Sequence, residues 1–421
     1  MEERATYKMD GTLRIVLLVL VGLGALCLGA SFFSNPDGYH TRFWSNFLHN
    51  SVFFTGIAFM AIFFYAICMT AYAGWHVMFK RVWEAFGQFM LVGIILIGII
   101  TLGVWLHWHH LYHWTDAASL DPDSEYFDAI LKHKSSFLNP VVYSVLGLGM
   151  LAVWYFFAAR LRSLSLAEDN KKDPFDFRAF RKMKVWSAVF LPIAGFTSAA
   201  AIWLWVMSVD AHWYSTLFAW YTGASWFVSM IALTILILLY LKSQGYYSFV
   251  TTEHFHDLGK FLFAFSIFWT YLWFSQFMLI WYGNVGEETI YFKERYENYP
   301  VMFYGNLIIN FIFPFFVLMR NDTKRKVGTL IIVSIVVLFG HWWDFFLMIK
   351  PGVLHTTHEA LEHAGKAHAH IGGMSFPGLL EIGIFLGFLG LFLLVVLMRL
   401  GAAPLVATRD PYIQESLHHH T

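Results

Sequence analysis

Histidine and carboxylate side chains recur in short clusters inside long apolar runs of the 421-residue chain. One run carries His341-Trp342-Trp343-Asp344, and another ends in Ser208-Val209-Asp210-Ala211-His212-Trp213. An ionisable residue at the centre of a membrane helix costs roughly 2.5–3.5 kcal/mol on insertion scales, so such positions need a physical reason. His341 and Asp344 are three apart and share a helix face. Imidazole titrates near neutral pH and a neighbouring carboxylate stabilises its charged form. The pair therefore has the chemistry to pass a proton or hold a polar ligand, and equally to serve as an inert polar staple between helices. Asp210 and His212 share a face only where the helix has ended, which suits interfacial capping or a second titratable position. Glu381 adds one acid about a turn from a helix end. His341, Asp344, Asp210, His212 and Glu381 are the candidate proton-transfer positions, with Gln276, Asn306 and Asn310 as polar support.

Other clusters carry weaker signals. His107, His109, His110 and His113 lie at the edge of an apolar run among Trp and Tyr, as an interfacial belt does. His355, His358, His363, His368 and His370 read as a histidine-rich outer loop. There, His358-Glu359 is followed by His363 at i+5, where the zinc-protease pattern needs i+4, so no metal is assigned. Trp269, Trp273 and Gln276 form an i, i+4, i+7 stripe that reads as core packing. Two cysteines, Cys27 and Cys68, are too few for an iron–sulfur cluster or a disulfide framework, and no C-x-x-C-H haem attachment pattern occurs. Any redox centre is then haem, quinone, or on another chain.

The elements that must position these residues are membrane helices. The chain is 58% hydrophobic and 13% charged, against roughly 25% charged in soluble domains. The formal net charge is zero, which gives no field for nucleic acid. Apolar runs of about 20 residues fall near 14–33, 50–73, 89–108, 139–159, 185–207, 220–241, 257–281, 300–319, 327–349 and 377–398. The expected fold is all-α and polytopic, with about ten transmembrane helices in a single membrane domain. Acidic Glu2 and Glu3 precede the first span, which reads as retained rather than as a cleaved leader. Tyr39 to Phe47 and Trp83 to Phe89 look amphipathic and interfacial. Pro192 and Pro314 should kink their spans. With the N-terminus inside, 21 Lys and Arg lie on inner segments and 7 on outer ones, so both termini, including the tail 399–421, are expected in the cytoplasm. The densest inner segment is the basic loop 160–184. The clusters on spans three, five, nine and ten then all fall toward the outer face.

Two segments carry a family resemblance: Ser208-Val209-Asp210-Ala211-His212-Trp213-Tyr214-Ser215-Thr216-Leu217-Phe218, and Phe339-Gly340-His341-Trp342-Trp343-Asp344 continuing to Lys350-Pro351. They resemble the large membrane subunits of alternative complex III, the ActF type rather than ActC. Those subunits are similar to the polysulfide-reductase/NrfD membrane subunits. The resemblance implies two four-helix bundles, 50–207 and 220–349, with the first and last spans outside them. It implies a bacterial inner membrane and a role in a quinol-oxidising respiratory assembly. The implied partners are a sister membrane subunit, an iron–sulfur subunit, multihaem and monohaem cytochromes c, and lipid. No redox cofactor is expected in this chain. A quinone, menaquinone or another, belongs to the complex, and no catalytic or quinone-binding residue is assigned here. A proton-coupled secondary transporter is the rival reading, although its midplane polar groups would not crowd one half of the membrane. A cytochrome b would need facing histidine pairs, and only His341 lies well within a span.

Overall fold

A computed structural model describes residues 6–34, 38–173, 175–363, 365 and 371–420; His368 and His370 of the histidine-rich segment lie outside them. Among the described residues no strand forms, and ten helices are long and apolar enough to cross a membrane. They are Gly11–Phe33, Thr41–Thr70, Lys80–Trp105, Pro140–Asp169, Arg178–Val209, Thr216–Ser243, Thr252–Gly283, Pro300–Leu318, Val327–His363 and Leu379–Gly401, numbered spans one to ten. In an apolar medium each backbone N–H and C=O must be satisfied within the chain, which helices do locally.

Spans two to five pack as one four-helix ring and spans six to nine as a second. Span two joins the rings by packing against spans six and nine, and spans two and six are buried along most of their length. Spans one and ten pair beside span two. Their close approach needs glycine: a Cβ on Gly387 would sit 2.4 Å from the Cα of Gly24. Small residues that bring backbones together are a recurrent basis of helix association in lipid. Exposed Ile15, Val19, Leu26 and Phe196 give the outside a lipid-compatible surface.

Three local readings of the sequence are corrected. Span two begins at Thr41, nine residues earlier than expected, because Asn46, His49 and Asn50 are fully buried against spans nine and ten rather than lying at an interface. The stretch around Trp83 belongs to a buried helix, Lys80–Gly87. Its charges are matched internally: Lys80 by Asp410 at 2.5 Å, and Arg81 by Glu84 and Asp169. Span nine runs on through Lys350-Pro351 to His363, so His355, His358 and His363 ride on a helix and not a loop.

The prolines act through the carbonyls they free. Pro351 has no N–H for the carbonyl of Leu347 four residues back, and the Arg295 guanidinium donates to that oxygen at 2.9 Å instead. In span eight a π-helical turn, Ile308–Ile312, lies just before Pro314, the kind of irregularity that relieves such a clash. The N- and C-terminal segments meet at one end of the molecule through a bridge between Thr6 and Pro404. The basic segment 160–184, read as a loop, is helical but for residues 170–177, which join spans four and five; it shares that end, since Asp169 accepts from the Arg409 N–H at 3.4 Å. Loop 106–139 and a short helix, Gly286–Asn298, occupy the opposite end.

Candidate functional site

Asp344 lies inside the second bundle with no solvent exposure. Its Oδ1 accepts from the Tyr221 hydroxyl and from Asn306 Nδ2 at 2.7 Å. Its Oδ2 accepts from Ser225 Oγ at 2.7 Å and from Trp269 Nε1 at 3.0 Å. The four donors come from spans six, seven and eight, so one carboxylate is read by every other helix of its bundle. All four are neutral, and no cation faces it within ion-pair distance among the described residues. Among the described residues the other buried carboxylates have partners of opposite charge; this one is held by hydrogen bonds alone.

His341, one turn earlier, is also fully buried and packs edge-on to Trp269. Its Nδ1 lies 3.2 Å from Ser225 Oγ. Because the Ser225 hydroxyl proton points at Asp344, the imidazole must be the donor to Ser225 with Nδ1 protonated. Its Nε2 is then a lone pair, and it is buried without a partner. His341, Ser225 and Asp344 thus form an unbroken chain of exchangeable groups. Asn310 extends the network by donating to Asn306 Oδ1 at 2.6 Å and to the Gly340 carbonyl at 2.9 Å.

The other expected positions separate from this group. Asp210 pairs with Arg295 at 2.8 Å. Arg295 comes from the helix Gly286–Asn298, is stacked on Tyr291 and also holds the carbonyls of Leu347 and Met348. Glu381 caps the start of span ten through Gly378 N at 2.9 Å and takes a two-pronged contact from Arg42 at 2.8 and 3.0 Å, with Asn46 at 3.2 Å. Nearby, Lys350 is wholly buried, donates to Ser45 Oγ at 2.7 Å and makes no salt bridge among the described residues. His212 bonds Asp128. No hydrogen bond links Asp210, His212 or Glu381 to Asp344 or His341. Gln276 is buried on span seven with its Nε2 unpartnered and joins none of these groups by a hydrogen bond.

At the end opposite the termini, His113, Asp128 and His212 place their ligand-capable atoms within 4.8 Å of one another. Burial works against charge on His113, but its contact with Glu359 and the charges of Asp128 and Asp116 raise its pKa above the usual histidine value. Burial likewise opposes the Asp128 carboxylate, yet His212 and the N–H groups of Leu131 and Ile130 hold it below the usual range. Cys27 and Cys68 are separate free thiols.

Sequence reasoning found Asp344, His341, Asn306 and Asn310. It missed Tyr221 and Ser225, whose i, i+4 spacing put two hydroxyls on one face of span six, and took Trp269 for packing alone. Arg42 and Arg295 were counted only as outer charges, and Lys350 as an outer charge and as part of the segment that continues from Asp344. No protein-family model and no curated protein matches the chain.

Proposed function

We propose that this chain is the ActF-like membrane subunit of a quinol-oxidising complex of the alternative complex III type, and that Asp344 with His341 is a proton-exchanging group within it. The complex reading rests on the two segments around Asp210 and His341. The proton-exchange reading is carried by one observation: a carboxylate deep in a membrane bundle held by four neutral donors and joined through Ser225 to an imidazole. Only a carboxylate accepts from all four donors, and an acid, unlike an amide or a hydroxyl, can also gain and lose a proton. The chain supplies the scaffold and the protonatable group. Electrons would travel on an iron–sulfur subunit and on multihaem and monohaem cytochromes c beside a sister membrane subunit. A quinone is held by the assembly, in a bacterial inner membrane with both termini of this chain in the cytoplasm.

The test is Asp344→Asn in the assembled complex. Asparagine offers one acceptor where the carboxylate offered two, so an amide hydrogen will face either Trp269 N–H or Asn306, at a cost of about 1–3 kcal/mol. Stability is therefore the wrong readout, and Asp344→Asn with Trp269→Phe, which removes one of those donors, serves as the control. We expect both variants to slow quinol oxidation or proton release while subunit content and haem spectra stay intact. Wild-type turnover and proton stoichiometry in a fully assembled Asp344→Asn, His341→Gln variant rules out the proton role. Purification without haem c and iron–sulfur partners, with proton-coupled solute uptake in vesicles, points to the transporter instead.

A further inference from the structure

We propose that His113, Asp128 and His212 form a binding site for a divalent transition-metal ion of the zinc class, with an open coordination position facing a cavity at the end opposite the termini. The three ligands come from separate segments: a turn after span three, the cap of the short helix Ala129–Lys134, and the residues after span five. Their donor atoms already lie within 4.8 Å of one another. Metal–ligand bonds of 2.0–2.1 Å in a tetrahedron bring ligand atoms about 3.3 Å apart, a small side-chain rotation away.

The surroundings divide the work as a metal site requires. Asp128 Oδ1 caps its helix, accepting from Ile130 N at 2.8 Å and Leu131 N at 3.1 Å, while Oδ2 turns to His212. One oxygen therefore fixes the fold and the other is free for a ligand role. Glu359 on span nine lies 3.0 Å from Nδ1 of His113, an ion-pair contact that steadies the ring, and Nε2, which rests on Ser119 Oγ at 3.0 Å, is the nitrogen we assign to the metal. Carboxylate–histidine pairs of this kind are the usual outer support of a ligating imidazole. Lys134, which lines the same cavity, holds the backbone of His212 by donating to the carbonyls of Ala211 and His212 at 2.7 and 2.8 Å, so its ammonium is engaged by carbonyls. His113 and His212 line a cavity of about 340 Å³ that Glu287, Glu294 and His355 also line. Two imidazoles and a carboxylate suit Zn²⁺, and three protein ligands leave the fourth position to water. The ion would tie the loop 106–139 to spans five and nine. This site stands apart from the Asp344 group and does not depend on the respiratory reading. The sequence concealed it because Asp128 and His212 are 84 residues apart, with no motif joining them.

The full chain, purified in detergent and stripped with a chelator, is titrated with Zn²⁺ and with Co²⁺ as a spectroscopic stand-in. We expect one equivalent bound with a tetrahedral Co²⁺ absorption. Asp128→Asn keeps the capping oxygen, so it should fold normally and yet bind far more weakly, as should His212→Gln. Glu359→Gln, which only orients His113, should cost on the order of 10–100-fold in affinity. Replacing His418, His419 and His420 with Ala removes the histidine tail, exposed at His418 and His420 and bonded to Asp257 at His419, and should change nothing at this site. No bound equivalent in the wild type overturns the proposal. So does an affinity unchanged in Asp128→Asn and His212→Gln, with the binding lost in the tail variant.

Discussion

Arg295 illustrates how a single side chain can be worth more than its charge. It neutralises Asp210, stacks on Tyr291, and satisfies the carbonyl that Pro351 orphans. Arg295→Gln leaves Asp210 without its cation and the carbonyl of Leu347 short of a donor. Removing one partner of a buried pair costs about 3–5 kcal/mol, and thermal unfolding in detergent should report a loss of that order. Arg295→Lys should recover only part, since an ammonium cannot fork to both groups. Two buried histidines outside the spans contribute to the acid limb of stability. Burial pushes His76 down to about 3 and His109 down to about 4. Both folded values lie below the unfolded histidine value of about 6.5, so their contribution is complete above that pH and is lost as pH falls toward 4. Each group contributes about 1.4 kcal/mol per pH unit in that window. His76→Leu should flatten the fall in melting temperature between pH 6.5 and 5; an unchanged slope would exclude His76 as a cause. At this scale the sequence was legible where an ionisable residue sat mid-span, as Asp344 does. It was opaque where the partner was a hydroxyl or an indole such as Ser225 or Trp269, residue types common in any membrane helix.

Helix existence was legible because about 20 apolar residues in a row leave few alternatives; helix ends were not. Span two was read short because Asn46, His49 and Asn50 lower its hydropathy, and a polar row at the start of a span looks interfacial until a facing helix is known. Span nine was read short because Lys350-Pro351 resembles a stop, whereas Ser45 and Arg295 supply what the lysine and the proline-freed carbonyl need. The pairing of spans one and ten gives the sharpest test at this scale. A Cβ on Gly387 or on Gly24 would come within 2.5 Å of the other residue's Cα, so no rotamer relieves it and the helices must part. Gly387→Leu should lower the detergent melting temperature by several degrees and expose span one to proteolysis, while Gly22→Leu, where a Cβ meets open space, should be close to silent. Equal effects from the two would show that the glycine contact does not hold the pair.

The whole molecule is asymmetric end to end, and its basic end is knitted shut by its own C-terminal tail. Lys80 on span three meets Asp410, Ser416 accepts from Met78 N at 3.2 Å and donates to the Trp75 carbonyl at 2.9 Å, and Tyr247 reaches the Leu405 carbonyl at 3.1 Å. Burial opposes the Asp410 charge, but Lys80 holds its carboxyl below the usual range. The docking is therefore fully present above the unfolded aspartate value of about 3.9 and lost as pH falls through the depressed one. Asp410→Asn imitates that loss at neutral pH, leaves Lys80 buried without a counter-charge, and should make residues 403–420 protease-sensitive. Lys80→Met with Asp410→Leu should restore protection, because apolar replacement of both partners is often neutral. The same knit constrains topology. Asp169 and Arg409 are in contact, so the basic connection between spans four and five and the tail must lie on one side whatever the membrane does, and loop 106–139 must lie on the other. The orientation we propose follows from the count of 21 Lys and Arg against 7, by the rule that positive loops are retained in the cytoplasm. Reporters fused at residue 172 and after the tail should both give cytoplasmic signals, and one at residue 124 the opposite. Agreement of the first two with inverted sign would keep the fold but reverse the proposed orientation. It would then turn the cavity beside His113 and His212 toward the cytoplasm, where metal supply and partners differ. Disagreement between the first two would contradict the packing of the tail itself.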